Sequence, residues 1–306
     1  MPAEPNFVQR RAQLLHQGAA RLSPNTRAMA WSIASSFVFV LLNSLMRELT
    51  LQMHAYEVQF LRYLMGLLVM LPLMLRAGIA TYRPKNIAGQ FTRGAVHTVG
   101  LILWFIAITH ITIADTTAIG FTTPIFIMLG AVLLFKEPMR WERCVAAGIG
   151  FAGVLIVVGP KLTGQGGWYT LVMLASCPVF AASFLITKAL TRYERAEVIV
   201  AWQAISITVL SLPLALLHWT FPSAMQWAAF VLCGLLGSSA HYCLTRSYAA
   251  ADISATQSVR FLELVWATLL GWMVLGDSVS SSTLMGGVVI CASTLWIARR
   301  ETRGPR

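Results

Sequence analysis

The hexapeptide Ala34-Ser35-Ser36-Phe37-Val38-Phe39 returns as Ala175-Ser176-Cys177-Pro178-Val179-Phe180, an offset of 141 in the numbering. The same offset pairs Arg47-Glu48-Leu49-Thr50 with Lys188-Ala189-Leu190-Thr191, and Leu71-Pro72-Leu73 with Leu212-Pro213-Leu214. Further along, Ala114-Asp115 pairs with Ala251-Asp252 (offset 137), and Phe135-Lys136-Glu137 with Leu275-Gly276-Asp277 (offset 140). A near-constant spacing carried through successive segments marks a duplicated unit, and its small drift marks short insertions in loops.

Each unit holds five apolar stretches, and a spanning helix needs about 20 residues to cross roughly 30 Å of hydrocarbon. The stretches fall at 28–46, 58–75, 94–113, 116–135 and 141–159, then at 168–187, 198–217, 225–244, 254–275 and 283–298. They divide the chain into a basic tail (1–27), a first repeat (28–160), a second repeat (167–299) and a closing tail (300–306). Composition agrees, with 57% hydrophobic and 11% charged residues against about 25% charged in soluble domains. An odd number of crossings makes the copy enter the bilayer from the opposite side. Such inverted repeats give a pseudo-two-fold axis in the membrane plane and a binding site near the midplane. The predicted fold is an all-α membrane protein, ten transmembrane helices in two inverted five-helix repeats around a central cavity.

A net charge of +11 would suit a nucleic-acid binder, but its placement speaks against one. Basic residues gather in 1–27, 76–93, 136–143 and 188–195, at Arg246, and in 299–306, while the alternate loops hold only Arg47 and Lys161. Basic loops stay on the cytoplasmic side, so the pattern predicts a multi-pass protein of the bacterial inner (plasma) membrane with both termini cytoplasmic. The first tail lacks the signal-peptide pattern. Its Phe7, Leu14, Leu15 and Leu22 fit a surface-lying amphipathic helix and a solvated tail equally well. Five cysteines (Cys144, Cys177, Cys233, Cys243, Cys291) sit in apolar stretches without a CxxC pair and read as packing residues, not metal or disulfide partners.

The ends of the repeats resemble the EamA domains of the drug/metabolite transporter superfamily. In the first, Thr123-Pro124-Ile125 leads to Leu133-Leu134-Phe135-Lys136-Glu137 and then to the Gly-rich run Ala147-Gly148-Ile149-Gly150-Phe151-Ala152-Gly153. In the second, His241-Tyr242-Cys243-Leu244-Thr245-Arg246-Ser247-Tyr248 and Arg260-Phe261-Leu262-Glu263-Leu264-Val265-Trp266-Ala267 precede Gly276-Asp277. These last segments are similar to ten-helix bacterial exporters, aromatic amino-acid exporters of the YddG type among them. The resemblance implies a secondary transporter. Ser258 stands where many relatives carry proline, and it removes the obvious cause for a helix break there.

Ionisable groups inside a span cost about 2.5–3.5 kcal/mol on insertion scales and are functional candidates by default. On the second stretch Gln59 and Tyr63 share a face with Gly66, and Arg62 flanks them. The repeat places Gln203 opposite Arg62. His97, Gly100 and Trp104 form a stripe on the third stretch. The eighth presents Ser238, His241, Tyr242 and Thr245, with His241 paired to Trp104 at offset 137. The ninth supplies Arg260 and Glu263, the first Asn43, and Trp202 sits deep in the seventh. Each has a plainer reading. Arg260 and Glu263 can neutralise each other at i, i+3, Arg62 can snorkel, and His97 can be an interfacial histidine. Trp31, Trp141, Trp168 and Trp219 read as interfacial anchors. Gly148, Gly150, Gly153, Gly286 and Gly287 mark the fifth and tenth stretches as closely packed struts. Pro72, Pro124, Pro178 and Pro213 are candidate kinks.

The expected function is alternating-access export of small metabolites, amino acids above all, with nucleosides or quaternary amines as the alternative. Guanidinium groups suit a carboxylate, and π-faces or Glu263 suit an ammonium. Proton coupling through Glu263, Glu57, Asp115 or the histidines and simple uniport both fit. No metalloprotease, nucleophile-elbow or phosphate-loop motif points to an enzyme, and no repeated filter loop points to a channel. The expected partners are a small-molecule substrate and the lipid bilayer, with no nucleic acid, cofactor or metal, and the oligomeric state is unassigned.

Overall fold

The computed structural model describes residues 22–108, 110–111, 113–164, 166–275 and 280–302. The tail before Leu22 and Asp277 lie outside the described residues. Helix α1 (Pro24–Thr50) starts where the Ser23 hydroxyl accepts the Thr26 N–H at 3.2 Å and Pro24 opens the first turn, as caps require. Helix α2 (Ala55–Ala77) stops at Gly78, whose φ of +83° disfavours a side chain. A 3-10 turn (Ile79–Tyr82) leads to α3 (Ile87–Ile108). The fourth crossing is α4 (Ile113–Gly120) followed by α5 (Thr123–Phe135), and the fifth is α6 (Trp141–Val158). The second half runs α7 (Gly167–Leu190), α8 (Ala196–Leu216) and α9 (Ala224–Ala250). Ser223 and Gln226 form a reciprocal capping box at the start of α9. The ninth crossing joins a 3-10 segment (Ile253–Phe261), α10 (Leu262–Leu270) and a π-helical turn (Gly271–Leu275), and α11 (Ser281–Thr302) is the tenth.

Among the described residues nine helices are long and apolar enough to cross a membrane, the fourth crossing counted as Asp115–Phe135. The ninth crossing, broken into shorter segments, is not one of the nine. Its break forms without a proline. Instead Thr256 Oγ1 and Gln257 Nε2 donate to the Ile253 carbonyl at 3.0 and 2.7 Å, supplying side-chain donors where the α-helical ladder is interrupted. The fourth crossing is interrupted at the corresponding place, after Gly120, with Pro124 in the first turn of α5, where its missing N–H costs no helical hydrogen bond. Phe121 and Phe261 occupy matching positions of the two repeats, and their rings meet at 5.7 Å. Two equivalent residues touch each other only near a symmetry axis.

Other contacts obey the same two-fold relation. α1 packs on α9, and its counterpart α7 packs on α3. In the α6–α11 pair a Cβ on Gly153 would stand 3.0 Å from the Gly286 carbonyl oxygen, while Ser293 Oγ donates to the Ala146 carbonyl at 2.7 Å. Residues 153 and 146 become 293 and 286 on adding 140, so each contact is the image of the other across the axis. Gly148 and Gly287 take no part, since nothing lies within 4 Å of a Cβ there.

Three expectations need correction. α1 and α3 begin earlier than the apolar stretches, at Pro24 and Ile87, because apolarity understates a helix whose polar turns are buried by neighbours. Arg93 therefore lies within α3 and not in the preceding loop. The pairing of Trp104 with His241 at offset 137 also shifts. Gly94 lies against Ser206, and Gly234 lies against Met65 and Gly66, which relates α3 to α9 at an offset of 140. His241 then matches Leu101, and Trp104 matches Leu244.

The start of α1 and the end of α11 meet on one face. Asn25 Nδ2 donates to Glu301 Oε2 at 2.6 Å, and Glu301 also takes Arg140 at 3.2 Å and Arg143 at 2.9 Å. Arg143 continues to Asp252 at 3.2 Å and to Ser254 Oγ at 2.7 Å. Glu137, at the close of the first repeat's fourth crossing, accepts the N–H groups of Ile253 and Ser254 at 3.0 and 3.1 Å. A carboxylate there satisfies orphan donors at the start of the ninth crossing. Lys188 Nζ caps the end of α9 through the carbonyls of Tyr248 and Ala251.

Candidate functional site

The two-fold arrangement brings α2, α3, α7, α8 and α9 together around a buried polar centre. Gly66 on α2 and Gly234 on α9 let the backbones approach closely there, and Gly237 on α9 lies against the Arg62 side chain. A narrow cleft, barely the size of a water molecule, is lined by Arg62, Tyr63, Gln203, Ser238 and His241 with these glycines.

Arg93 is 1% exposed and anchors one side of the centre. It donates through Nε to Thr187 Oγ1, through Nη1 to the Ile199 carbonyl at 3.2 Å, and through Nη2 to Gln203 Oε1 at 2.7 Å. That last bond fixes the Gln203 amide, so its Nε2 faces His241 Nε2 at 3.3 Å as a donor. Arg62 Nη2 approaches the same nitrogen at 3.5 Å. Two donors on Nε2 assign the imidazole proton to Nδ1, which is buried without a partner. Tyr63 lies under the Arg62 guanidinium, 4.6 Å from it, and its buried hydroxyl also has no partner.

An aromatic collar surrounds these groups. His241 meets Phe39 edge-on at 5.0 Å, and His97 meets Phe180 at 5.3 Å. The two histidine rings are 6.0 Å apart, and His97 Nδ1 lies 3.2 Å from Ser183 Oγ. Phe184 links this centre to the ninth crossing, with His97 6.2 Å from its ring and the Arg260 guanidinium 4.9 Å from it. Arg260 pairs with Glu263 at 3.6 Å.

Arg62, Tyr63, His97, Gln203 and His241 thus converge, and Arg260 with Glu263 joins them through Phe184. Gln59 is buried with an unpartnered Oε1, and Asn43 is exposed. Trp104 packs in an apolar cluster with Leu101, Phe105 and Ile207. Trp202 and Tyr242 lie elsewhere. Trp202 Nε1 donates to the Tyr82 carbonyl at 2.8 Å, and the Tyr242 hydroxyl reaches Glu197 at 3.4 Å beside Trp31 and Arg246. Of the coupling candidates, Glu57 accepts Thr220 N and Oγ1 at 3.3 and 2.8 Å, and Asp115 accepts Thr163 Oγ1 at 2.9 Å. Sequence reasoning missed Arg93, Phe180, Ser183, Phe184 and Thr187. Arg93 was detectable as the residue four before His97 on the same face, and Phe180 as the repeat mate of Phe39.

Two inverted bundles closing on a buried polar centre define a membrane carrier of small molecules. The model of the EamA-like transporter family matches residues 26–159 and again residues 167–299. The chain belongs to the EamA-like transporter family, and it is a transporter, not an enzyme. It is 33% identical over 279 residues to the riboflavin transporter of Rhizobium johnstonii, covering 90% of this chain and 92% of that one. It is 25% identical over 275 residues to the S-adenosylmethionine uptake transporter of Rickettsia prowazekii (90% and 93% covered). A pseudopaline exporter of Pseudomonas aeruginosa is 26% identical over 277 residues (88% and 95%). A solved structure titled only as a crystal structure of a protein shares the fold, with a TM-score of 0.77 at 18% identity over 91% of this chain and 97% of that one.

Proposed function

We propose that the chain is an alternating-access carrier of the bacterial inner membrane, with both termini cytoplasmic and repeats at 28–160 and 167–299, moving small metabolites that carry a flat ring. One observation carries this reading: the buried hydrogen-bonding groups of Arg62, Gln203 and His241 sit inside a collar of Phe39, Phe180, Phe184, Tyr63 and His97. Ring faces stack on such a collar while polar substituents take the hydrogen bonds. Riboflavin and S-adenosylmethionine, named for two relatives, both contain a heteroaromatic ring, which supports the same class. The narrow cleft means that side chains or bundles move apart to admit the solute, as alternating access requires.

A second reading, export of amino acids with aromatic ones first, is favoured by Arg260 and Glu263. Their paired charges beside the Phe184 ring match a zwitterion with an aromatic side chain. Purified protein in liposomes is to be tested by counterflow against labelled riboflavin, S-adenosylmethionine, tryptophan and phenylalanine. Saturable accumulation of at least one ring-bearing solute is expected. Ohmic current without saturation would replace the carrier with a channel.

A further inference from the structure

We infer that the solute carries an anionic group, a carboxylate or a phosphate, which docks on Arg62 with Gln203 and His241. Arg62 and Arg93 are 7% and 1% exposed. Among the described residues neither forms an ion pair: the carboxylates that do pair with arginines join Arg140, Arg143, Arg195 and Arg260. An unneutralised cation in a low-dielectric interior is strongly unfavourable, and two in one centre also repel each other. Buried charge of this sign that the chain leaves unbalanced is balanced by what the chain binds.

The hydrogen-bonding groups agree with the charge. Gln203 Oε1 is consumed by Arg93, and His241 Nε2 by Gln203 and Arg62. What remains is a surplus of donors: the Arg62 guanidinium, the Nδ1–H of His241 and the hydroxyl of Tyr63, the last two lacking any partner. A surplus of donors of this kind is the complement of an oxyanion. Gly237 lies directly against Arg62, where a Cβ would stand in ordinary contact at 3.4 Å from Nε and 3.6 Å from Nη2. Glu263 does not supply the missing charge, because Arg260 holds it. Arg62 therefore contacts the anion. Arg93, outside the cleft lining, is a positioning residue that aims Gln203 and adds to the positive potential.

The assignment rests on the carrier reading, and the test separates the two. Full-length protein is assayed for binding of matched pairs by thermal unfolding and by counterflow in liposomes. The pairs are riboflavin with riboflavin 5′-phosphate, and tryptamine with tryptophan and indole-3-acetate. The anionic member of at least one set is expected to bind about tenfold or more tightly than its neutral or cationic counterpart. The flavin set reads phosphate, and the indole set reads carboxylate. Arg62→Gln is expected to erase that preference and Arg62→Lys to retain part of it, which a purely structural arginine would not show. Equal or tighter binding of the uncharged or cationic members, or no binding by any anionic member, would overturn the charge assignment. Saturable flux of a neutral solute alone would overturn it too, while leaving the carrier function standing. If Arg62→Gln fails to fold, the within-set ratio of the native chain still decides.

Discussion

Arg260 and Glu263 lie one turn apart, and their head groups meet at 3.6 Å beside the Phe184 ring. If the pair faces the solute during transport, each neutral variant removes half of a charge match that the solute uses. Glu263→Gln and Arg260→Gln are each expected to cut counterflow about tenfold, equivalent to about 1.4 kcal/mol, with the folded fraction preserved in size-exclusion profiles. Native flux in both would leave the pair a structural bridge. A second residue-scale effect is remote from the centre. His54 stacks on His218 with ring centroids 3.8 Å apart, and partial burial, followed by the neighbouring His218, lowers its pKa below 6.5. The folded state then binds fewer protons than the unfolded state just below pH 6.5, so stability rises with pH through that window and falls on acidification. Melting temperatures at pH 5.5 and 7.5 are expected to differ in that direction, with the difference reduced in His218→Asn. Arg93 shows why part of the centre was illegible. Its charge assigns it to a basic loop, and only the buried partners Thr187, Ile199 and Gln203 make a helical position for it tolerable. Those partners come from two other helices, and no local pattern announces them.

At the scale of elements, helix identity was legible wherever apolarity ran unbroken, and helix ends were not. α3 starts at Ile87, well before its apolar stretch opens at Gly94, because hydrogen bonds to Thr187, Ile199 and Gln203 satisfy Arg93 inside the helix. The ninth crossing was legible as a span but not as a 3-10 segment, since Ser258 replaces the residue that would have signalled a break. Glycine spacing showed that helices approach but not which glycines matter. A Cβ on Gly234 would fall 2.6 Å from the Met65 carbonyl carbon and 2.7 Å from the Gly66 nitrogen, while one on Gly287 meets nothing within 4 Å. Gly234→Ala is therefore expected to destabilise the protein by about 1–3 kcal/mol and Gly287→Ala to be nearly neutral. Thermal unfolding of the two variants in detergent, compared side by side, checks the contrast. Equal effects would mean that the α2–α9 contact is looser than these distances indicate.

At the scale of the whole molecule, the duplication dictated almost everything that the structure contains. Five crossings per copy require inversion, and inversion makes Phe121 and Phe261 neighbours although they belong to different halves of the chain. The repeat spacing alone left the register between α3 and α9 ambiguous by most of a helical turn, enough to match the wrong partner to His241, because drift in loops and drift within helices look the same in sequence. Orientation is the remaining whole-molecule expectation. In a cysteine-free background, a cysteine after Glu301 is expected to resist an impermeant maleimide added to intact cells, and one replacing Thr163 is expected to react. The reverse pattern would invert the assignment of both termini to the cytoplasm.

The bond from Glu137 to Ile253 and Ser254 has a consequence for biosynthesis. Its acceptor and its first donor are 116 residues apart, an interval that a ribosome covers in about 6–23 s at typical elongation rates. Through that interval the leading half waits in the bilayer with an unclaimed carboxylate at its rim. A truncated product ending before residue 253 keeps that carboxylate unclaimed for good, whereas co-produced halves are expected to restore the clasp in trans.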